Sequence, residues 1–230
     1  MEEQLNIVYE DNHLLVVNKP PGILVQGDIT GDFSLVDHAK EYIKKKYNKP
    51  GNVYIGLPHR IDRPTSGIVI LAKTSKALSR LNKQFSSREP EKSYWAIVKK
   101  PIPFDSDELI HYLKKNQKKN KSFAYDKAIP DAKKAILYYK KIAELKNYIG
   151  LEIDLATGRH HQIRCQLATI GNPIKGDLKY GFPRSNPDGS IHLHARNMAL
   201  LHPVKKEKMS FQADVPDDVL WKEMEKQVNS

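Results

Sequence analysis

Apolar runs of four or five residues, each closed on both sides by polar or turn residues, constrain this chain most. Leu14-Leu15-Val16-Val17 runs into Asn18-Lys19-Pro20-Pro21-Gly22, and Ile68-Val69-Ile70-Leu71-Ala72 sits between Ser66-Gly67 and Lys73-Thr74. Runs of that length suit strands buried on both faces and fall far short of a bilayer span. With 230 residues, 40% of them hydrophobic and 28% charged, the chain is long enough for a substantial core and too apolar for wholesale disorder.

Helical periodicity alternates with these strands. Ser34 and Asp37 resemble a capping box at the head of a helix to Tyr47, with Leu35, Ala39 and Ile43 on one face. Thr74 or Ser75 caps a second helix, in which Ala77, Leu78, Leu81 and Phe85 share a face. Strands are expected at Leu14–Asn18, Ile68–Lys73, Tyr94–Lys99 and Ile191–Leu201, with a hairpin pair Ile136–Ile142 and Tyr148–Leu155. His160–Ile170 reads as a helix closed by Gly171, and Pro216 as the start of a last one with Val219, Leu220, Met224 and Val228 on one side. No regular βαβ alternation appears, so the expected class is α+β with a mixed, mostly antiparallel sheet flanked by helices. The whole chain, 1–230, is expected to be one domain.

Charge gives the first functional lead. Lysine and arginine number 38 against 27 acidic residues, a net +11. Between His111 and Lys134, eight lysines oppose only Asp126 and Asp131, so +6 lies in that one stretch. Lys114, Lys115, Lys118, Lys119 and Lys121 are interleaved there with Tyr112, Phe123 and Tyr125. Such a segment can neutralise phosphates and stack on bases, or it can be a solvated hairpin tip. The single cysteine, Cys165, excludes an intrachain disulfide, and Met1-Glu2-Glu3 lacks the basic and apolar regions of a signal peptide. A cytoplasmic setting without membrane association is expected.

Four segments carry polar residues that packing alone explains poorly. His59-Arg60-Ile61-Asp62-Arg63-Pro64-Thr65-Ser66-Gly67 puts a carboxylate between two arginines just before a buried strand. It can serve as nucleophile, base or metal ligand, or form a salt-bridged turn. Thr157-Gly158-Arg159-His160-His161-Gln162-Ile163-Arg164 crowds donors at a helix start, which suits phosphate or carboxylate binding or a capped helix with a solvated polar first turn. Gly171–Asp177 with Tyr180-Gly181 reads as a backbone scaffold. His192, His194 and Arg196 share one strand face and read as histidines hydrogen-bonded at the core edge. The glycine-rich GxxxxGK[ST] and GxGxxG signatures are missing, as are paired cysteines and HExxH, so no metal is expected.

Residues 59–67 closely resemble the HRLDRxTSG signature of the RluA family of pseudouridine synthases. Five further segments follow in that family's order: Asp11–Gly22, the KxYxAxV strand at Lys92–Val98, the TGRxHQIR turn at Thr157–Arg164, the GxPIxGDxxYG segment at Gly171–Tyr180, and Leu193-His194-Ala195 to His202-Pro203. The resemblance runs from about Leu5 to Pro216. Pro64 and Cys165-Gln166-Leu167 depart from the usual pattern. An S4-type module ahead of the catalytic domain, frequent in the family, is not expected, and residues 111–134 read as a lysine-rich insertion or hairpin.

The resemblance implies the pseudouridine-synthase fold and cofactor-free isomerisation of uridine in ribosomal or transfer RNA. It makes Asp62 the catalytic carboxylate, Arg164 the arginine that keeps it ionised and oriented, and Tyr94 the residue that stacks on uracil. Ile163 becomes an apolar wall, and Arg60 fills the stack that a flipped base vacates. Arg63, Arg159 and the five lysines join these as expected RNA contacts. A monomer acting on a stem-loop is the expected form. The competing readings are a catalytically silent RNA-binding or ribosome-assembly factor on the same fold, and a metal-assisted hydrolase using Asp62 as base.

Overall fold

The computed structural model describes residues 5–230, so Met1-Glu2-Glu3 lies outside the described residues. Close packing divides the chain into two units: one is the segment up to Lys92 together with Ala195–Asp214, the other Ser93–His194 with Val215–Ser230.

The first unit carries β1 (Ile7–Glu10), β2 (Leu14–Lys19), β3 (Ser66–Ala72), most of β9 (Leu193–Leu201) and β10 (Lys208–Gln212). Its strand order is β1-β2-β3-β9, with β10 antiparallel on β9. The two apolar runs are β2 and β3, paired antiparallel from Leu14 opposite Ala72 to Lys19 opposite Gly67. Every residue of β3 is buried, as a strand flanked on both edges and covered on both faces must be. Helix α1 (Leu35–Lys46) opens with Ser34 and Asp37 exchanging the reciprocal bonds of a capping box. Helix α2 (Ser75–Ser86) is capped by Thr74 and buries Ala77 and Leu81. Leu14, Val16, Ile68, Ile70, Leu81, Met198 and Phe211 form this unit's main core.

The second unit carries β4 (Glu91–Lys99) from Ser93 on, β5 (Ser106–Asn116), β6 (Lys121–Tyr125), β7 (Lys133–Glu144) and β8 (Tyr148–Leu155). Their order is β4-β8-β7-β5-β6, antiparallel throughout. The lysine-rich stretch is therefore the β5–β6 hairpin and its return into β7. Helix α3 (Gln162–Thr169) packs on one face of this sheet through Ile163 and Leu167, against Leu109, Leu137, Tyr139 and Ile153. Helix α4 (Val219–Val228) packs on the other, through Trp221 and Met224 against Trp95, Ile97 and Ala143.

The α+β class and the dominance of antiparallel pairing match the expectation. Helix α4 differs in detail. Asp218 caps it rather than Pro216 starting it, and Val219, expected on the packed face, is 80% exposed. The cap sets the phase of the helix, and that phase turns the larger Trp221 inward.

Candidate active site

Within the first unit, several contacts hold the Asp62 loop. A β-bridge between Gly56 and Ala72 fixes its start, and Thr65 N–H donates to Asp62 O at 3.1 Å to close the turn. The Lys19-Pro20-Pro21-Gly22 turn knots onto its middle. Gly22 N–H donates to Arg63 O at 2.9 Å, and Arg63 Nε returns a bond to Gly22 O at 2.8 Å. The fully buried Lys19 adds three bonds from its Nζ, to Pro20 O, Ile23 O and Arg63 O, at 2.8, 3.0 and 3.1 Å. Three carbonyls match the three protons of an ammonium. Burial pulls the Lys19 pKa down to about 7, while the nearby Asp62 carboxylate opposes that shift.

Gly67 ends the loop at φ +113°, and a Cβ there would meet Ala195 O at 2.3 Å. His59 anchors the other end. Its ring stacks on Phe85 at 4.6 Å, and its Nε2 accepts from Ile70 N–H at 2.9 Å. Desolvation, helped by Lys92, lowers its pKa to about 3, so the ring is neutral and the acceptor is always present near neutral pH. Asp62 itself is half-buried, Arg60 is exposed, and Arg63 is also paired with Asp32 at 2.8 Å.

The second unit holds the other expected residues. Tyr94 lies on β4 opposite Ile153, half-buried at the margin of the core that contains Ile163. The turn before α3 is built around the buried Gln162. Its Oε1 accepts from Thr157 Oγ1 and Arg159 N–H, and its Nε2 donates to Ile136 O, at 2.8, 2.9 and 3.0 Å. Arg159 Nε donates to Lys134 O at 3.0 Å. His161 takes the left-handed conformation (φ 53°) and stacks on His160 at 3.7 Å. This contorted turn delivers Arg164 one residue after the apolar Ile163.

Arg164 is buried and forked onto Asp177, with Nε–Oδ2 at 2.7 Å and Nη2–Oδ1 at 2.9 Å. Its guanidinium lies 5.2 Å from the ring centre of Tyr180. The Tyr180 hydroxyl accepts from Ser122 N–H at 2.8 Å and lies 3.0 Å from His161 Nδ1, and burial raises its pKa. Asp177 and Tyr180, which the sequence suggests only as parts of a backbone scaffold, are thus direct neighbours of Arg164. The acid and the phenol within Gly176–Tyr180 are the signal that could have found them.

The five lysines do not share one face. Lys114 donates to Pro130 O at 3.1 Å and pairs with Asp131 at 3.3 Å. Lys115, Lys118 and Lys119 are exposed, and Lys121 sits 4.8 Å over the Tyr180 ring. His192 and His194 are buried. His192 lies 3.0 Å from both Asp218 Oδ1 and Asn186 Nδ2, the core-edge placement expected of it. Among the described residues, no group of three or more histidine, cysteine or acidic side chains is placed to hold a metal ion.

Comparison with known proteins adds an independent line. Residues 13–169 match the family described as RNA pseudouridylate synthase. The chain is 33% identical over 216 residues to the dual-specificity RNA pseudouridine synthase RluA of Haemophilus influenzae, covering 93% of this chain and 94% of that one. It is 32% identical over 227 residues to ribosomal large subunit pseudouridine synthase D of Zymomonas mobilis, covering 94% and 70% respectively. In fold it is similar to human RNA pseudouridylate synthase domain containing 4, with a TM-score of 0.77, 22% identity, and coverage of 97% of this chain and 93% of that one.

Proposed function

Because the chain belongs to the RNA pseudouridylate synthase family, we propose that it isomerises selected uridines of ribosomal or transfer RNA to pseudouridine, with Asp62 as the reacting carboxylate. One observation carries the assignment of Asp62. The residue sits in a loop fastened by Lys19, Gly22, His59 and Gly67, and these bonds fix its backbone before any substrate arrives.

The reaction breaks the ribose C1′–N1 bond and joins C1′ to C5 of the same uracil. N1 ends protonated and C5 loses its proton, so no outside reagent is consumed. An ionised Asp62 serves this either by attacking C1′ or by stabilising the sugar as uracil departs. Arg164, held in one orientation by Asp177, supplies a fixed positive charge for a carboxylate. Tyr94 offers its ring to the uracil face, and Ile163 supports the apolar wall behind it. A paired uridine must leave its helix to react, and the exposed Arg60 is suited to fill the gap. Arg63 and Arg159 hold loop backbone and reach RNA only with their remaining donors. The preferred substrate is a stem-loop, bound by a monomer.

The test is tritium release from RNA labelled at uridine C5. Wild type should release tritium, and Asp62→Ala and Asp62→Asn should not, while both variants keep their fold. Wild-type turnover by either variant would remove Asp62 from the chemistry. Retained RNA binding without release by wild type would mean a binding factor instead.

A further inference from the structure

The second unit has a sheet surface that carries none of the residues assigned to the reaction. Alternation along the strands sends Leu109 and Leu113 of β5, with Ala135 and Leu137 of β7, to the face that packs on α3. The intervening residues turn to the opposite face. There the registers set Tyr112 between Tyr125 and Lys134, Lys114 beside Phe123, and Ile110 beside Ile136. Helix α4 covers this same face over β4 and the Ala143 end of β7. At the β5–β6 end Phe123 is 38% exposed, Tyr125 40% and Ile110 43%.

An exposed aromatic patch of this kind marks a binding surface, and its setting says for what. Lys114 and Lys134 alternate with the rings, and Lys118 and Lys119 stand at the hairpin tip, in the segment holding over half the net charge. Lysines between flat apolar faces complement a polyanion that also presents flat faces. A single-stranded nucleic acid does so. A duplex buries its base faces in the stack and offers phosphates, sugars and groove edges instead.

We propose that the outward face of β5–β6, centred on Phe123 and Tyr125, is a stacking platform for a single-stranded RNA segment distinct from the reacting nucleotide. Lys134 serves its phosphates, joined by Lys114 when a phosphate replaces the exposed Asp131 as its partner. The platform presupposes the RNA-directed function proposed for this chain and adds to it a second RNA-binding surface. The two faces of the hairpin are mechanically joined. Ser122, on the inner face, donates from Oγ to His160 O at 2.7 Å, and its carbonyl accepts from Cys165 Sγ at 3.3 Å.

The test is fluorescence anisotropy of the full chain with a labelled oligoadenylate of about twelve nucleotides, compared with a blunt duplex of equal length. Oligoadenylate contains no uridine, so binding is read apart from reaction. Phe123→Ala and Tyr125→Ala should each weaken single-strand binding about ten-fold and change duplex binding less than about two-fold. Phe123→Tyr should retain wild-type affinity. Phe123→Leu, which keeps apolar bulk without a ring, should behave like Phe123→Ala. Unchanged affinity of the alanine variants, an equal loss for duplex, or wild-type affinity of Phe123→Leu would overturn the platform. So would a wild-type dimer in sedimentation that Phe123→Ala dissociates, because the face would then join two copies. Tritium release tests the isomerase reading separately, and its failure alongside intact single-strand discrimination would overturn only that reading.

Discussion

Arg164 and Asp177 are thirteen positions apart in sequence and meet through two bonds in the buried interior. Removing the acid's charge sets the guanidinium against a neutral amide where water cannot compensate. Asp177→Asn should therefore cost about 3 kcal/mol in urea unfolding. On pseudouridine formation it should lower kcat more than it raises KM, because it disorients a charge rather than deleting a binding group. His59 makes a prediction of opposite character. Its folded pKa, about 3, lies below the ordinary 6.5, so between those values the unfolded chain binds the proton more readily. Stability should fall as pH drops from about 6.5 towards 3, with no further change from His59 above that window. His59→Gln, which keeps an acceptor for Ile70 N–H, should flatten that slope in unfolding curves taken across the window. Asp62 and Arg164 stand out in the sequence as candidates because the segments that carry them are local. The roles of Asp177 and Lys19 are not, because the partners that define them come from segments 13 and 44 residues away.

The elements differ in how plainly the sequence writes them. Strands β2 and β3 are uninterrupted apolar runs, and α1 announces itself through Ser34 and Asp37. Strands β5 and β6 are obscured by their solvent-facing lysines and aromatics, which break the alternation of Leu109 and Leu113. The packed face of α4 is hidden because its cap, Asp218, sets the phase, and the bonds from Leu220 and Trp221 N–H to that cap form only once the preceding loop is placed. Two substitutions test elements directly. Ser34→Ala should cost about 1 kcal/mol by removing half the capping box. Gly67→Ala should cost about 3 kcal/mol or more, because it combines an unfavourable backbone angle with a clash against Ala195 backbone that no side-chain motion relieves. Chemical denaturation of the purified variants reads both.

At the level of the whole molecule, the uneven charge carries a prediction about RNA. Replacing Lys114, Lys115, Lys118, Lys119 and Lys121 by glutamine should flatten the plot of log affinity against log salt by up to roughly 0.7 for each phosphate no longer neutralised. An unchanged slope would leave the hairpin lysines as solvated charge only. No helix among the described residues is long and apolar enough to cross a membrane.

The division of the chain carries a consequence for its birth. Strand β3 finds its neighbour β9 in residues made more than a hundred positions later, and α4, which covers Trp95, also begins more than a hundred positions after it. A nascent chain emerging from N- to C-terminus therefore cannot finish either unit until these late segments have been made. During that interval β3, wholly apolar on both faces, lacks the strand that closes its free edge. Such a polypeptide is at its most aggregation-prone while still attached to the ribosome, and its yield should respond to translation speed and chaperone supply more than its finished stability would suggest.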